Sequence, residues 1–566
     1  MSSAGTYVLS GTMNDGQVLV DAGKDDVVRL VLNGVTLHCE TAPAIYAPQA
    51  ATVVFILADG TENAVSDGDY SVVDSDDAPD AAIFAQDCLS ITGGGMLNVT
   101  GTKHHGIRTQ DTLVITGGAI SVTSAGDALR GRDGVAVRGV SLTLNAGGDG
   151  IQSNNNEDDA KGFVVIDGGD FVIQAGSDGI QAQSALTVYG GTFRIATGGG
   201  SSNAPTHEED FRGVRGGQNS ATAAAEDESV SMKALKAGKL LTITDGNFTI
   251  DAEDDAVHSN DGARIRGGSF AIKTGDDGFH ANGALEISDG EINIPTCYEG
   301  IEGLSVTISG GEISVAASDD AINAAGGATG EQQGFGPMGQ DRFAVDGDIF
   351  IRVSGGTLDL YATRDGLDAN GNIFLEGGTI KISGPSQGME GAIDLDGSMF
   401  VTGGELITAG SVLNASQDST QPLLLVSYAE QQPSGSLIAI KDADGNSLLE
   451  YTAKTSFTLS GFTSKSFAIG ETYSLFINSE KRVEVKLESI ATSIGDDGGE
   501  YNGGRGMGRG DWGGATGGGT RPAGGRPQGD WNGEMPEWDG ETPPEGFTPG
   551  GRGRTAPPTD AGTPEA

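Results

Sequence analysis

Acidic residues recur at a fixed interval and pose the first chemical question. Asp255, Asp277, Glu299 and Asp320 lie 22, 22 and 21 residues apart. Asp254, Asp276 and Asp319 place a second acid directly before three of them. Calcium takes about six to eight oxygen ligands from carboxylates, carbonyls and water. Doubled carboxylates gathered at one corner would supply several of these. Asp also favours turns for conformational reasons, but a bare turn does not need doubled acids one period apart. Asp254, Asp255, Asp276, Asp277, Glu299, Asp319 and Asp320 are therefore the candidate metal ligands, and calcium is the expected cofactor.

A second polar column follows the acids. It reads Arg108, Arg130, Gln152, Gln181, Lys236, His258, His280, Glu302, Asn323, Asp368 and Asp394, passing from basic through neutral to acidic. Such a stripe suits a sugar chain read by hydrogen bonds across several repeats, and equally an ordinary exposed face. Tyr298 and Tyr361 offer rings for stacking. The candidate carbohydrate contacts are His258, His280, Tyr298, Glu302, Tyr361 and Arg364. No Ser-His-Asp grouping or nucleophile elbow is present, so no catalytic residue is assigned. Lys233 replaces Asp in the acidic column, one period before Asp255. A lysine beside calcium-binding acids is the arrangement of a β-elimination lyase; it would also serve simply to neutralise the stack. His207-Glu-Glu-Asp210 lies in low-complexity sequence and reads as a solvated run.

The elements that must position these columns are strands. The unit Ile243-Thr-Asp-Gly-Asn-Phe-Thr-Ile250 recurs at Ile265–Ile272, Ile287–Ile294 and Ile308–Val315. Short alternating apolar runs with Gly pairs and Asp-Gly or Asp-Ala corners are strand and turn signals, and sustained helical spacing is missing. A period of this length indicates stacked units. The Leu/Asn ladder of leucine-rich repeats is absent, and the nonapeptide calcium roll is far shorter. The expected fold is all-β, a parallel β-helix solenoid with about 22 residues per coil. Ile243, Ile265, Ile287 and Ile308 would form one internal ladder, and Val257, Phe279, Ile301 and Ile322 another. Stacked acids ~4.8 Å apart would repel by roughly 3–4 kcal/mol per pair at an effective dielectric near 20.

Composition narrows the function classes. The 566-residue chain has a formal charge of −46, 94 glycines and 6% aromatics. The acidic balance argues against nucleic acid or anionic membrane as partners. No run approaches the ~18 apolar residues of a membrane span. Cys39, Cys88 and Cys297 have no metal-ligand spacing, and Cys39 continues a core alternation. No secretory leader is visible at Met1-Ser-Ser-Ala-Gly5, so the reading expects either a trimmed chain or another export route. The expected location is secreted or cell-surface, and the expected state monomeric.

The chain divides into four parts. Residues 1–80 read as first coils and an N-terminal cap, and 81–410 as the β-helix with insertions near 197–231 and 324–346. Residues 411–490 read as a small C-terminal β cap. Residues 491–566 form a Gly/Pro-rich tail expected to be disordered.

Several motifs resemble a known family. They are Gly5-Thr-Tyr-Val-Leu-Ser-Gly11, Arg29-Leu-Val-Leu-Asn-Gly34, Gly60-Thr-Glu-Asn63 and the Asp-Gly-Ile corners at Asp149 and Asp178. Lys233-Ala-Leu-Lys-Ala237, Ser419-Thr-Gln-Pro422 and Pro543-Pro-Glu-Gly-Phe-Thr-Pro549 extend the likeness over nearly the whole chain. The chain resembles the secreted bacterial carbohydrate-binding-domain family of right-handed parallel β-helices, similar in fold to polysaccharide lyase family 9. The resemblance implies calcium on the coil acids, with binding of cellulose or acidic sugars without established cleavage. A lyase base would have to be Lys233, Lys236 or Lys273. Ala234 and Leu235 stand where the family more often has Gly and Ile. The expected function is calcium-dependent polysaccharide binding without turnover. A pectate-type lyase and a structural surface adhesin are the alternatives.

Overall fold

The computed structural model describes residues 1–72, 78–206, 231–325, 347–386 and 390–502. The tail beyond 502, with Trp512, Trp531 and Trp538, lies outside the described residues. So do His207-Glu-Glu-Asp210 and most of both insertions.

The described secondary structure is almost entirely β. Short strands pair in parallel with strands about one sequence period before and after. Val257–Ser259, for example, lies between Leu235–Ala237 and Phe279–Ile287. Alternation along each strand sends one side chain inward and the next outward. Ile243, Ile265, Ile287 and Ile308 stack in register, and all are buried. Phe171, Phe193, Phe248 and Phe270 make a second internal stack, with successive centroids 4.6 Å apart and rings nearly parallel.

Glycine pairs bend the chain between these runs. Gly268 and Gly290 have φ of +104° and +129°, where a side chain is strained. A Cβ at either would also approach the carbonyl oxygen one period earlier, at 3.0 and 3.1 Å. A larger residue at either position would be strained and would push the neighbouring layer by a few tenths of an ångström.

The expected open right-handed β-helix solenoid is corrected. The protein is all-β, but the strands make a closed 12-strand parallel β-barrel with many outer strands. Among the described residues, thirty-eight strands belong to one hydrogen-bonded sheet, which encloses a continuous apolar core. The physical reason is what a period can specify. It dictates that residues one interval apart pair in parallel; closure and hand are not written in it.

Toward the C-terminus the pairing changes sense. Leu406 and Ile407 of Met399–Ala409 pair antiparallel with Thr463 and Phe462. Leu423–Gln432 pairs antiparallel with Phe457–Thr463 and parallel with Ala491–Gly495. Leu437–Lys441, Ser447–Thr452, Thr472–Ile477 and Glu480–Lys486 form a separate four-stranded antiparallel sheet. This region has its own apolar cluster around Phe457, Phe462 and Leu475.

Candidate functional site

The stacked acids have a local use that the spacing alone does not reveal. Asp127 Oδ1 accepts the backbone N–H of Asp149, Asp149 Oδ1 that of Asp178, and Asp178 Oδ1 that of Lys233, at 2.8–2.9 Å. Asp255 accepts from Asp277 at 3.0 Å, and Asp320 from Asp365 at 2.7 Å. Each carboxylate therefore grips the backbone of the next rung. Where the gripping acid is ionised, as at Asp255, the bond is charge-assisted and offsets part of the like-charge repulsion.

The second carboxylate oxygen often turns to the residue three positions on. Asp127 meets Arg130 at 3.4 Å and Asp149 meets Gln152; Asp178 instead lies 3.7 Å from Lys236, which pairs with Gln181 one rung on. Asp255 meets His258, and Asp277 meets His280, both at 2.8 Å. The two columns read from the sequence are thus one zipper. Its partners run from cation through amide to imidazole and end in acids at Glu302 and Asp368.

That gradient divides the column electrostatically. Near the middle, Lys233 Nζ lies 2.9 and 3.0 Å from the oxygens of Asp254 and 3.0 Å from Asp255. Its side chain is 3% exposed. The ammonium stands where a cation bound by Asp254, Asp255 and Asp276 would sit, so these residues do not fit calcium. Although burial works against it, Lys233 and His258 hold Asp255 well below the usual carboxylate range.

On the later rungs no lysine enters the cluster among the described residues; Arg364 meets Asp319 from the outer side at 3.1 Å, and the clustered donors are oxygens. Glu299, Asp319 and Asp320 bring carboxylate oxygens within 4.8 Å of one another, as do Asp320, Asp365 and Asp368. Burial, then the nearby Glu302, pushes Glu299 up to about 9. Burial, with a hydrogen bond to Glu390, pushes Asp365 up to about 10. Burial and Asp320 raise Asp368 to about 7. Asn323 sits in register between Glu302 and Asp368. Its Nδ2 donates to Glu299 at 3.0 Å, while its Oδ1 is buried without a partner among the described residues. An all-oxygen set with an orphaned buried carbonyl fits a hard divalent cation.

The sequence-predicted sugar contacts separate by accessibility. His258 is 1% exposed and cannot meet a polymer. His280 and Glu302 are partly exposed and bonded to each other at 3.0 Å. Tyr298 belongs to an outer corner where backbone bonds align Asp276, Tyr298, Asp319 and Arg364 in successive layers. Arg364 reaches Asp319 and Glu390, each at 3.1 Å, with its side chain 53% exposed. Tyr361 lies half-buried in Thr357–Ala362, opposite Ala316 and three residues ahead of Arg364.

The three lysines also separate. Lys236 is buried beside Ser231 and Asp178, Lys233 is buried in its acid pair, and Lys273 is exposed on Ser269–Thr274. Asn323, Asp365 and Asp368 were not among the expected metal ligands. Their places in the two columns were read from the sequence; the 45-residue interval between Asp320 and Asp365 hides that they gather into one cluster.

Comparison with known proteins places this geometry in a family. A family model described as carbohydrate-binding domain-containing protein matches residues 1–278, 264–334 and 279–480. A carbohydrate-binding domain-containing protein of Acetivibrio thermocellus is 40% identical over 124 residues, which are 22% of this chain and 43% of the relative. The chain thus spans under half the length of that relative. A solved structure of the polysaccharide lyase-like protein from C. thermocellum, a gadolinium derivative, is 36% identical. That match covers 35% of this chain and 81% of the other, with a TM-score of 0.34. On the extent of the family match, this chain belongs to the carbohydrate-binding domain-containing protein family.

Proposed function

We propose that the chain is an extracellular or cell-surface polysaccharide-binding protein whose glycan lies along the outer corner of Asp276, Tyr298, Asp319 and Arg364. The carrying observation is the register of Tyr298 and Arg364 beside the oxygen-only cluster of Glu299, Asp319 and Asp320, in a chain of this family. An aromatic ring supplies a flat apolar face for a pyranose. A guanidinium supplies a planar fork for a uronate carboxylate or paired hydroxyls. Calcium held by Glu299, Asp319 and Asp320, with Asp365 and Asp368 deeper in, would neutralise the carboxylates and draw an anionic sugar to the corner.

Acidic or cellulosic polymers are the proposed ligands. The lyase alternative would need a lysine amine presented to the sugar. Lys233 and Lys236 are buried in ion pairs, which supports binding without turnover at those two positions; the exposed Lys273 is the lysine left to the lyase alternative. The test is retardation of the full chain in gels containing polygalacturonate or a soluble cellulose derivative, with calcium. The expected result is retardation that Tyr298→Ala and Arg364→Ala each weaken about tenfold. Retardation unchanged in both variants, or absent from the wild type, would sink the reading. A steady rise of unsaturated-uronide absorbance would promote the lyase.

A further inference from the structure

Three side chains converge on one point beside the oxygen cluster. His280 Nδ1 lies 2.8 Å from Asp277 Oδ2 and 3.0 Å from Glu302 Oε2. All three belong to adjacent rungs of one zipper, because His280 pairs in register with Glu302 and Asp277 lies three residues before His280. Strand pairing therefore fixes the triangle. The other ring nitrogen, Nε2, lies 2.9 Å from Asn282 Oδ1. An amide oxygen only accepts, so Nε2 carries the proton and donates. Nδ1 is then the atom facing two carboxylate oxygens, and only a positive centre on Nδ1 satisfies both. A second proton provides one; a metal ion provides another.

We propose that Asp277, His280 and Glu302 form a binding site for a divalent transition-metal ion of the zinc class, distinct from the oxygen-only cluster assigned to calcium. An imidazole nitrogen among the donors selects zinc-like ions over calcium and magnesium. With ligands at ~2.0–2.1 Å, a tetrahedral site has donor–donor edges of roughly 3.3–3.4 Å, so the triangle need open by only a few tenths of an ångström. Asn282 plays the outer role usual for metal-bound imidazole, fixing the tautomer and the ring through the remote N–H. Both carboxylates are on hand to balance the ion's charge, and His280 and Glu302 are partly exposed, which leaves an entry path.

His105 serves as the contrast. His105 lies 3.1 Å from Asp127 and 3.7 Å from Asp80. It also has the guanidinium of Arg130 at 3.4 Å, and Asp80 is paired with Arg108. Two cations already occupy that cluster, so it is the control.

The experiment is cobalt(II) titration of the chelator-stripped full chain, followed by visible ligand-field absorption and by equilibrium dialysis, with zinc as competitor. The expected result is one tightly bound equivalent with four- or five-coordinate absorption, displaced by zinc and not by calcium. His280→Gln and Glu302→Gln should each lower affinity at least tenfold, while His105→Gln leaves it unchanged. Circular dichroism confirms that each variant is folded, and Glu302→Gln keeps the side-chain shape should His280→Gln disturb the wall. No cobalt uptake by the wild type, or uptake that both His280→Gln and Glu302→Gln retain, would overturn the site. Because glycan retardation is a separate readout, this result stands apart from the carbohydrate reading.

Discussion

Asp149 shows what a single rung carries. It is 5% exposed, accepts the N–H of Asp178 and meets Gln152, whose Oε1 is buried without a partner among the described residues. Burial, reinforced by Asp127 and Asp178, pushes it up to about 8. An unfolded Asp titrates near ~3.9. The native state therefore holds the extra proton between those values, so this contribution to stability is complete below pH ~4 and is lost as pH rises through ~8. Asp149→Asn keeps an oxygen for Asp178, gives Gln152 Oε1 a donor after a flip, and removes the charge. The variant should melt higher than wild type at pH 8, by about 1–3 kcal/mol, and about level at pH 4.5. Parallel thermal melts at the two values check it; equal offsets at both would show that Asp149 is ionised throughout. The doubling of acids was legible in the sequence. Their grip on the next rung's backbone was not, because a carboxylate's second neighbour depends on three-dimensional register.

At the scale of elements, the aromatic stack ties successive layers together. Phe248 lies between Phe193 and Phe270, 4.6 Å from each, and is 2% exposed. Phe248→Ala removes a ring from between two others in a close-packed wall and should cost about 3–5 kcal/mol. Phe374, half-buried with Phe400 at 5.2 Å and Arg352 beside it, should lose less on the same change. Chemical denaturation of the two variants compares them; equal losses would mean that the internal stack relaxes around the gap. The ladders of Ile243 and Val257 were readable because apolar alternation and period 22 coincide there. The antiparallel pairing of Leu406 and Ile407 with Thr463 and Phe462 has no such periodic trace. Nor does His258 announce its burial, since its position on the strand matches that of the partly exposed His280.

The whole molecule carries a formal charge of −46, and its acids are unevenly compensated. Lys233 serves Asp254 and Asp255, whereas Glu299, Asp365 and Asp368 are raised by burial and crowding. A cation that binds only the folded wall adds stability by mass action, about 2.7 kcal/mol at a hundredfold excess over Kd. Millimolar calcium should raise the melting temperature of the chelator-treated chain at pH 8 by several degrees. Asp365→Asn with Asp368→Asn should shrink that gain by more than half. Identical melts in calcium and chelator would remove calcium from the account. Closure of the strands into a barrel was the part of the architecture the sequence could not disclose: a period of 22 is satisfied by any wall whose neighbours lie one interval apart.

The carboxylate grip also explains where this wall tolerates extra chain. Asp178 holds the backbone of Lys233 across 55 residues, and Asp320 that of Asp365 across 45. Elsewhere the same bond spans 22, 26 or 29 residues. The wall resumes in register after either excursion because the docking bond is made at the point of return, whatever length of chain intervened. Closing a loop twice as long costs only ~0.6 kcal/mol more, less than one charge-assisted bond returns. These two rungs are natural graft points, where a foreign segment inserted between gripping acid and gripped amide would leave the strands on either side aligned.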